Sequence, residues 1–344
     1  MKLGILAIHV NKPDAVSHNS LLGASMPGVY RHLFDEAGAA SRPATVKRGV
    51  TYMQTDAYSA PTAPFNLRSS EMATMAVDKL LMPMRADAEK VHAILHAQCT
   101  IDQQILSSTC LRIQHDHFPN AQLAMSLGQV GTAGVGTAFQ LARHRFLQDG
   151  SDGMICVSAS DKWIAPYVRR YPGLVTYGDA AAACLLSAAP NGSYVADVLA
   201  TAAISRPLSF DFWLAPHDVR MRSVVDVAVN AIRNLLLSDG VDEDGSIDSL
   251  IDGVIGDVYE PEVCAYIAAE IGLSDHMILS TSMKSHASSA APLAAISQGV
   301  ELAQATGRTM HFIVWTASIS GHAAAMLIRC HPNAASVQGT WLCG

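Results

Sequence analysis

Fourteen histidines and seven cysteines are the side chains of this sequence best equipped for chemistry, and their spacing limits what that chemistry can be. His92 and His96 stand four apart, the interval at which a helix presents two zinc ligands on one face. His115-Asp116-His117 lies just before Phe118-Pro119 and reads as a solvated polar turn. The stretch Gly131 to Gly136 is glycine-rich. It has neither the Gly-Lys-Ser/Thr of a phosphate loop nor a Gly-x-Gly-x-x-Gly opening a helix, so a nucleotide-binding domain is set aside. Asp242 to Asp248 (DEDGSID) has the acidity of a calcium loop without its terminal bidentate Glu, and is expected to be the turn before a strand at Asp252. No metal is expected. The cysteines (Cys99, Cys110, Cys156, Cys184, Cys264, Cys330 and Cys343) are odd in number, scattered and mostly inside apolar segments, which fits buried thiols in a reducing compartment.

The elements that position these residues must come from an apolar chain. Of 344 residues, 50% are hydrophobic and 15% charged, against about 25% charged in an average soluble domain. Disorder is excluded, and at roughly 150 residues per domain the length allows two units or one large double-layered one. No apolar run approaches the roughly 18 residues of a membrane helix. The short run Leu3 to Ile8 reads as a first strand, not a secretory signal. A soluble, cytoplasmic protein is expected. The net charge of −7 without a basic stripe speaks against a nucleic-acid partner. So low a charge content points to further surface hidden in an oligomer.

Two halves share a pattern. Gly153 to Ser158 (GMICVS) is strand-like, and Tyr177-Gly178-Asp179 leads into AAAACLLS. His311 to Ser318 (HFIVWTAS) is strand-like, and Ser320-Gly321-His322 leads into AAAMLIRC. Gly-Asp-Ala-Ala-Ala and Gly-His-Ala-Ala-Ala recur 143 residues apart. Gly131 to Gln148 places Val135, Ala138, Phe139, Ala142 and Phe146 at helical spacing and stops at Gly150; its counterpart runs from Ser288 to about Gln304. The small residues of both stretches suit helices held between two sheets. The halves are expected at 1–190 and 191–344.

On these features the chain resembles the thiolase-like condensing enzymes, most closely the β-ketoacyl-ACP synthase III branch, over nearly its whole length. Lys47-Arg48-Gly49-Val50 is similar to the family's early Arg/Thr-Gly-Ile segment, and Ser69 to Leu81 to its first Ala-rich helix. Ala93 to Gln104 is similar to a strand ending in Thr-x-Asp, Tyr177-Gly178-Asp179-Ala180 to Gly-Asp-Gly-Ala. Ile251-Asp252 through Glu260 is similar to the strand that ends in Pro-His-Gln-Ala-Asn. The resemblance implies an α/β, five-layered αβαβα thiolase-like fold with two pseudo-repeated halves. It also makes VHAILHAQ a strand, which removes the helical zinc face from His92 and His96.

The family's chemistry uses a Cys at the head of the central helix, where backbone N–H groups and the helix dipole lower its pKa, and a His and an Asn that bind the thioester oxygen. Here Thr132 takes the cysteine position, or Gly131 or Ala133 in a shifted alignment. Asp257 takes the His position and His286, 29 residues on, the Asn position. A threonine needs a positioned base. His286 is the family-derived candidate, with Asp257 to orient it and His322 competing for the role. An ionised Asp257 would repel both the malonyl carboxylate and the charge that decarboxylation builds on the thioester oxygen. Acyl transfer from an acyl thioester is therefore expected in place of decarboxylative condensation; a silent subunit partnering a cysteine-bearing homologue is the alternative. No cofactor is expected to be bound permanently, the substrate being acyl-CoA or an acyl carrier protein's phosphopantetheine. Arg169 and Arg170 stand where the family contacts the carrier, and Tyr30 or His32 stands in for its adenine-stacking Trp. A homodimer or heterodimer is implied. Ser205 to Arg222, with Phe210, Phe212 and Trp213, is expected to form a lid or dimer contact.

Overall fold

The computed structural model describes residues 3–11, 15–17, 59–61, 67–100, 108–150, 153–163, 169–171, 173–188, 194–207, 215–238, 251–272 and 285–332. The first half supplies β1 (Leu3–Asn11), β4 (Val91–Gln98), β5 (Leu123–Gly128), β6 (Met154–Asp161) and β9 (Ala180–Ser187). The second supplies β10 (Ala196–Ser205), β11 (Gly253–Ile255), β12 (Met310–Ala317) and β13 (His322–Cys330). These nine strands form one hydrogen-bonded sheet in the order β11-β12-β13-β10-β1-β9-β6-β4-β5. Two small ribbons, β2 (Ala15–Ser17) with β3 (Ser59–Pro61) and β7 (Arg170–Tyr171) with β8 (Val175–Thr176), lie apart from it.

Each half repeats one pattern. β4 runs parallel to β6, and β6, β9 and β1 pair antiparallel in turn; β11 runs parallel to β12, and β12, β13 and β10 pair antiparallel in turn. A short antiparallel ladder, Leu3↔Val198 to Ile5↔Ala196, joins the halves.

Helices cover both faces, which is why the strands read as unbroken apolar runs. α1 (Ser69–Leu81) and α2 (Thr109–His117) pack Met72, Leu80 and Ile113 against Ile94, Cys156 and Leu185 on the outside of the first half. α4 (His217–Ser238) and α5 (Pro261–Ile271) pack Val224, Ile232 and Ile267 against Ile313 and Trp315 on the outside of the second. Between the halves lie α3 (Gly134–Asp149) and α6 (Ala291–Thr306), whose Phe139, Phe146, Leu293 and Ile296 share one core with Leu95 and Val157 from the first half and Phe312 and Met326 from the second. The layers are αβαβα, the thiolase-like arrangement. Small residues set the spacing: a Cβ on Gly134 would lie 2.7 Å from Ala97 Cβ, and one on Gly136 2.5 Å from Ala324 Cβ.

Two expectations change. His115-Asp116-His117 is the last turn of α2, not a loop, because Cys110 and Ile113 three residues apart give that segment a buried helical face. Within Ser205 to Arg222, Ser205 ends β10 and His217 opens α4, whose Val224, Val227, Ala228, Ala231 and Ile232 bury one helical stripe. Phe210, Phe212 and Trp213, together with Tyr30, His32, Lys47 to Val50 and Asp242 to Asp248, lie outside the described residues, as does the boundary near 190.

Candidate active site

The loop leaving β11 turns against Trp315, whose indole lies where a Cβ of Gly256 would be, and this close approach seats Asp257 over the end of β12. Asp257 Oδ2 accepts hydrogen bonds from Thr316 Oγ1 at 2.6 Å and from the Ala317 N–H at 2.9 Å. His286 Nε2 lies 2.9 Å from the same oxygen, off the line of a good hydrogen bond. His286 is held by its backbone: its N–H donates to Thr176 O and its carbonyl accepts from the Gly178 N–H, both at 2.9 Å. The Ser288 N–H donates to its Nδ1 at 2.8 Å, which leaves the ring proton on Nε2, towards the carboxylate, and the imidazole neutral. Both side chains are buried.

Aromatic rings enclose the pair. Tyr177 and Tyr259 stand 5.1 and 5.3 Å from the His286 ring. Trp163 stacks on Tyr177 at 4.0 Å and Trp315 on Tyr259 at 6.4 Å. Tyr259 donates its hydroxyl proton to Ala317 O at 2.7 Å. Burial raises the pKa of both phenols well above the ordinary tyrosine value, so the wall is neutral. Water is thus kept from the Asp257–His286 contact, and any charge or proton there is felt in a medium of low polarisability.

Asp161, at the end of β6, does in the first half what Asp257 does in the second. Its Oδ1 accepts from the N–H groups of Cys99 and Thr100 at 2.7 and 2.6 Å and from Thr100 Oγ1 at 2.9 Å; its Oδ2 accepts from the Ser289 N–H at 2.9 Å. Cys99 Sγ stands 3.2 Å from Ser289 Oγ. Burial, followed by the Asp161 charge, pushes this thiol far up, so it stays protonated and is a poor nucleophile.

Of the residues singled out in the sequence, the fold brings Asp257 and His286 into contact. Thr132 is buried at the head of α3, and its hydroxyl makes no hydrogen bond among the described residues; neither nitrogen of His286 is turned to it. His322 opens β13, where its Nδ1 lies 2.8 Å from Ser205 Oγ, and burial lowers its pKa. Arg169 is buried and pairs with Asp179 at 2.7 Å, while donating to the carbonyl oxygens of Tyr177 and Trp163. This geometry suits anchoring the loop before β9. The side chain of Arg170 lies outside the described residues. His96 is a buried strand residue with Nδ1 2.9 Å from Ser158 Oγ, and no metal-binding group of three or more His, Cys, Asp or Glu occurs among the described residues. The aromatic wall was missed in the sequence. Its signal was the placement of Tyr177 just before Gly178-Asp179 and of Tyr259 two residues after Asp257.

No protein-family model matches the sequence, and no curated protein sequence matches it. Solved structures do. The chain is similar to ChlB3, described as an acyltransferase, at 17% identity over 97% of this chain and 99% of that one, with a TM-score of 0.70. It is similar to 3-oxoacyl-(acyl carrier protein) synthase III, FabH, from Pseudomonas aeruginosa PAO1, at 15% identity over 96% and 99%, with a TM-score of 0.66. It is similar also to AbyA1, a tetronic acid condensing enzyme, at 14% identity over 95% and 99%, with a TM-score of 0.64. Sequence order, doubled sheet and structural likeness agree: the chain has the thiolase-like fold of the 3-oxoacyl-ACP synthase III proteins and related condensing enzymes.

Proposed function

We propose that this protein transfers an acyl group from an acyl thioester, carried by coenzyme A or an acyl carrier protein, directly to a hydroxyl or amine acceptor. The observation that carries this reading is the buried contact of a neutral imidazole with a carboxylate, His286 with Asp257 at 2.9 Å, in a fold shared with an acyltransferase and with acyl-thioester synthases. In the proposed step the acceptor oxygen or nitrogen attacks the thioester carbonyl while its proton passes to His286 Nδ1, displacing the Ser288 N–H. Asp257 stabilises the imidazolium so formed. The tetrahedral intermediate then expels the thiolate, which takes the proton back as the free thiol. Decarboxylative condensation does not fit, since Asp257 presents a carboxylate where charge would have to be stabilised. The reading includes no resident cofactor, a dimeric protein and a cytoplasmic setting; no helix among the described residues is long and apolar enough to cross a membrane.

A second reading is a catalytically silent subunit paired with a cysteine-bearing homologue. It is favoured by the Ser288 N–H on His286 Nδ1 and by the Thr132 hydroxyl, which has no partner among the described residues; with Nδ1 so occupied and Nε2 beside Asp257, His286 activates no nucleophile among those residues. The test is incubation of the purified protein with acyl and malonyl thioesters and a panel of alcohols and amines, following acceptor acylation and CO2. Acceptor acylation without CO2 release is the expected result. CO2 release from the malonyl thioester would overturn the reading, and activity only after co-purification with a cysteine-bearing homologue would establish the second.

A further inference from the structure

The two central helices start in the same way. A 3-10 turn, Gly131–Ala133, leads into α3, and another, Ser288–Ala290, leads into α6. Their first residues share one backbone conformation, with φ of 55° at Gly131 and 54° at Ser288. Residue 131 is therefore the counterpart of residue 288, and it, not Thr132, holds the position from which a side chain would reach between the halves. The residue there is a glycine, and the space beside it is occupied. A Cβ on Gly131 would run into Ser318 Oγ and lie 2.8 Å from Ser318 Cβ and 3.0 Å from Ser320 Oγ.

Ser318 comes from the other half, one residue beyond the Ala317 whose N–H holds Asp257. A tight turn fixes it: its N–H donates to His322 O at 2.8 Å, and its carbonyl accepts from the Gly321 N–H at 3.1 Å. Its buried hydroxyl lies 2.6 Å from Ser320 Oγ. Either hydroxyl can be the donor of that pair, and in the arrangement with Ser320 donating the Ser318 proton is left for a further acceptor. Beside it, no side chain caps the turn at Gly131, and Thr132 Oγ1 is a buried hydroxyl with no partner among the described residues. A buried polar group in that state calls for a ligand or water to complete it.

We propose that Ser318 stands in the side-chain space of residue 131 and that its hydroxyl, held by Ser320, hydrogen-bonds the carbonyl oxygen of a non-covalently bound acyl thioester. The proposal rests on the thioester reading above. It makes the substrate's carbonyl meet a hydroxyl where a nucleophile would stand, so no acyl-enzyme forms.

Ser318→Cys tests it, since the change exchanges one atom and leaves Gly131 untouched. The variant is incubated with acetyl- and octanoyl-N-acetylcysteamine thioesters, which carry the pantetheine end common to both carriers, and then mapped by mass spectrometry. Attack of the introduced sulfur on the carbonyl, with release of N-acetylcysteamine thiol, is expected to add one acyl group per chain at residue 318. Gly131→Cys combined with Ser318→Gly is expected to take the acyl group at residue 131, and Thr132→Cys to take none. In the otherwise native protein, Ser318→Ala is expected to lower kcat for acceptor acylation about 10²-fold at little-changed KM. Acylation of the Thr132→Cys protein at residue 132, with the Ser318→Cys protein left unmodified, would overturn the proposal. So would a folded Ser318→Cys protein that iodoacetamide modifies and thioesters do not, or that neither reagent modifies. Because the adduct at residue 318 requires only thioester binding, a native protein that acylates no acceptor would sink the transfer reading and leave this result standing.

Discussion

Asp257 accepts two hydrogen bonds and faces an imidazole from a buried position, so removing it orphans the two donors and strips the imidazole of its neighbouring carboxylate. Asp257→Ala is expected to cost about 3–5 kcal/mol in urea unfolding; a loss within experimental error would mean that the contact holds nothing together. His96 makes a prediction in pH. Burial pulls its pKa from 6.5 down to about 3, so between those values the unfolded chain binds a proton that the folded chain refuses. Its contribution to stability is present above about pH 6.5 and declines as pH falls through that window. His96→Gln is expected to flatten the stability–pH profile between pH 7 and pH 4, measured by denaturant midpoints; an unchanged slope would contradict the assignment. At this scale the sequence was only partly legible. The positions of Asp257 and His286 followed from their spacing within a family-like order. The placing of Ser318 over Gly131 did not, because it depends on the left-handed backbone at residue 131 and on a turn 187 residues away. The buried Arg169–Asp179 pair was hidden for a similar reason: an arginine next to a second arginine reads as a charged surface until the fold encloses it.

Among the elements, two buried carboxylates tie strand ends together in mirrored fashion, Asp161 joining β4, β6 and the head of α6, and Asp257 joining the loop after β11 to β12. The donors Thr316 Oγ1 and the Ala317 N–H are what let a carboxylate stand at Asp257 in an aromatic enclosure. The central helices approach the sheet through glycines, and Gly136 makes the point quantitatively. Alanine would gain about 1 kcal/mol in helix propensity, yet its methyl would lie 2.5 Å from Ala324 Cβ, an overpacking that costs about 1–3 kcal/mol. Gly136→Ala is expected to lower the melting temperature, and a rise would show that α3 can shift away from β13. Helices α3 and α6 and strands β6, β9, β12 and β13 were legible from apolar periodicity and small-residue runs. Helix α4 carried the same signal, but its stripe begins just after the aromatic-rich sequence Phe210 to Trp213, and that sequence drew the reading away from it.

For the molecule as a whole, the doubled sheet accounts for the low charge: strands covered on both faces leave few positions where a charged residue could reach water. Two edges are left over, the short β11 of three residues and the longer β5. Among the described strands β5 pairs only with β4, and its sequence LAMSLG carries neither charge nor proline, the devices that keep an exposed edge from pairing with another chain. The protein is expected to sediment at twice its chain mass of 36.5 kDa, and Met125→Lys to shift it towards the monomer; a native monomer at micromolar concentration would contradict the dimeric reading. The cysteines described are all free, and the central claim needs none of them. It needs His286 as the group that takes the acceptor's proton. The most direct measurement is the single-turnover rate of acceptor acylation by the native protein and by His286→Gln. The account predicts a fall of about 10²–10⁴-fold with Thr132→Ala still active, and an undiminished rate in His286→Gln would contradict it.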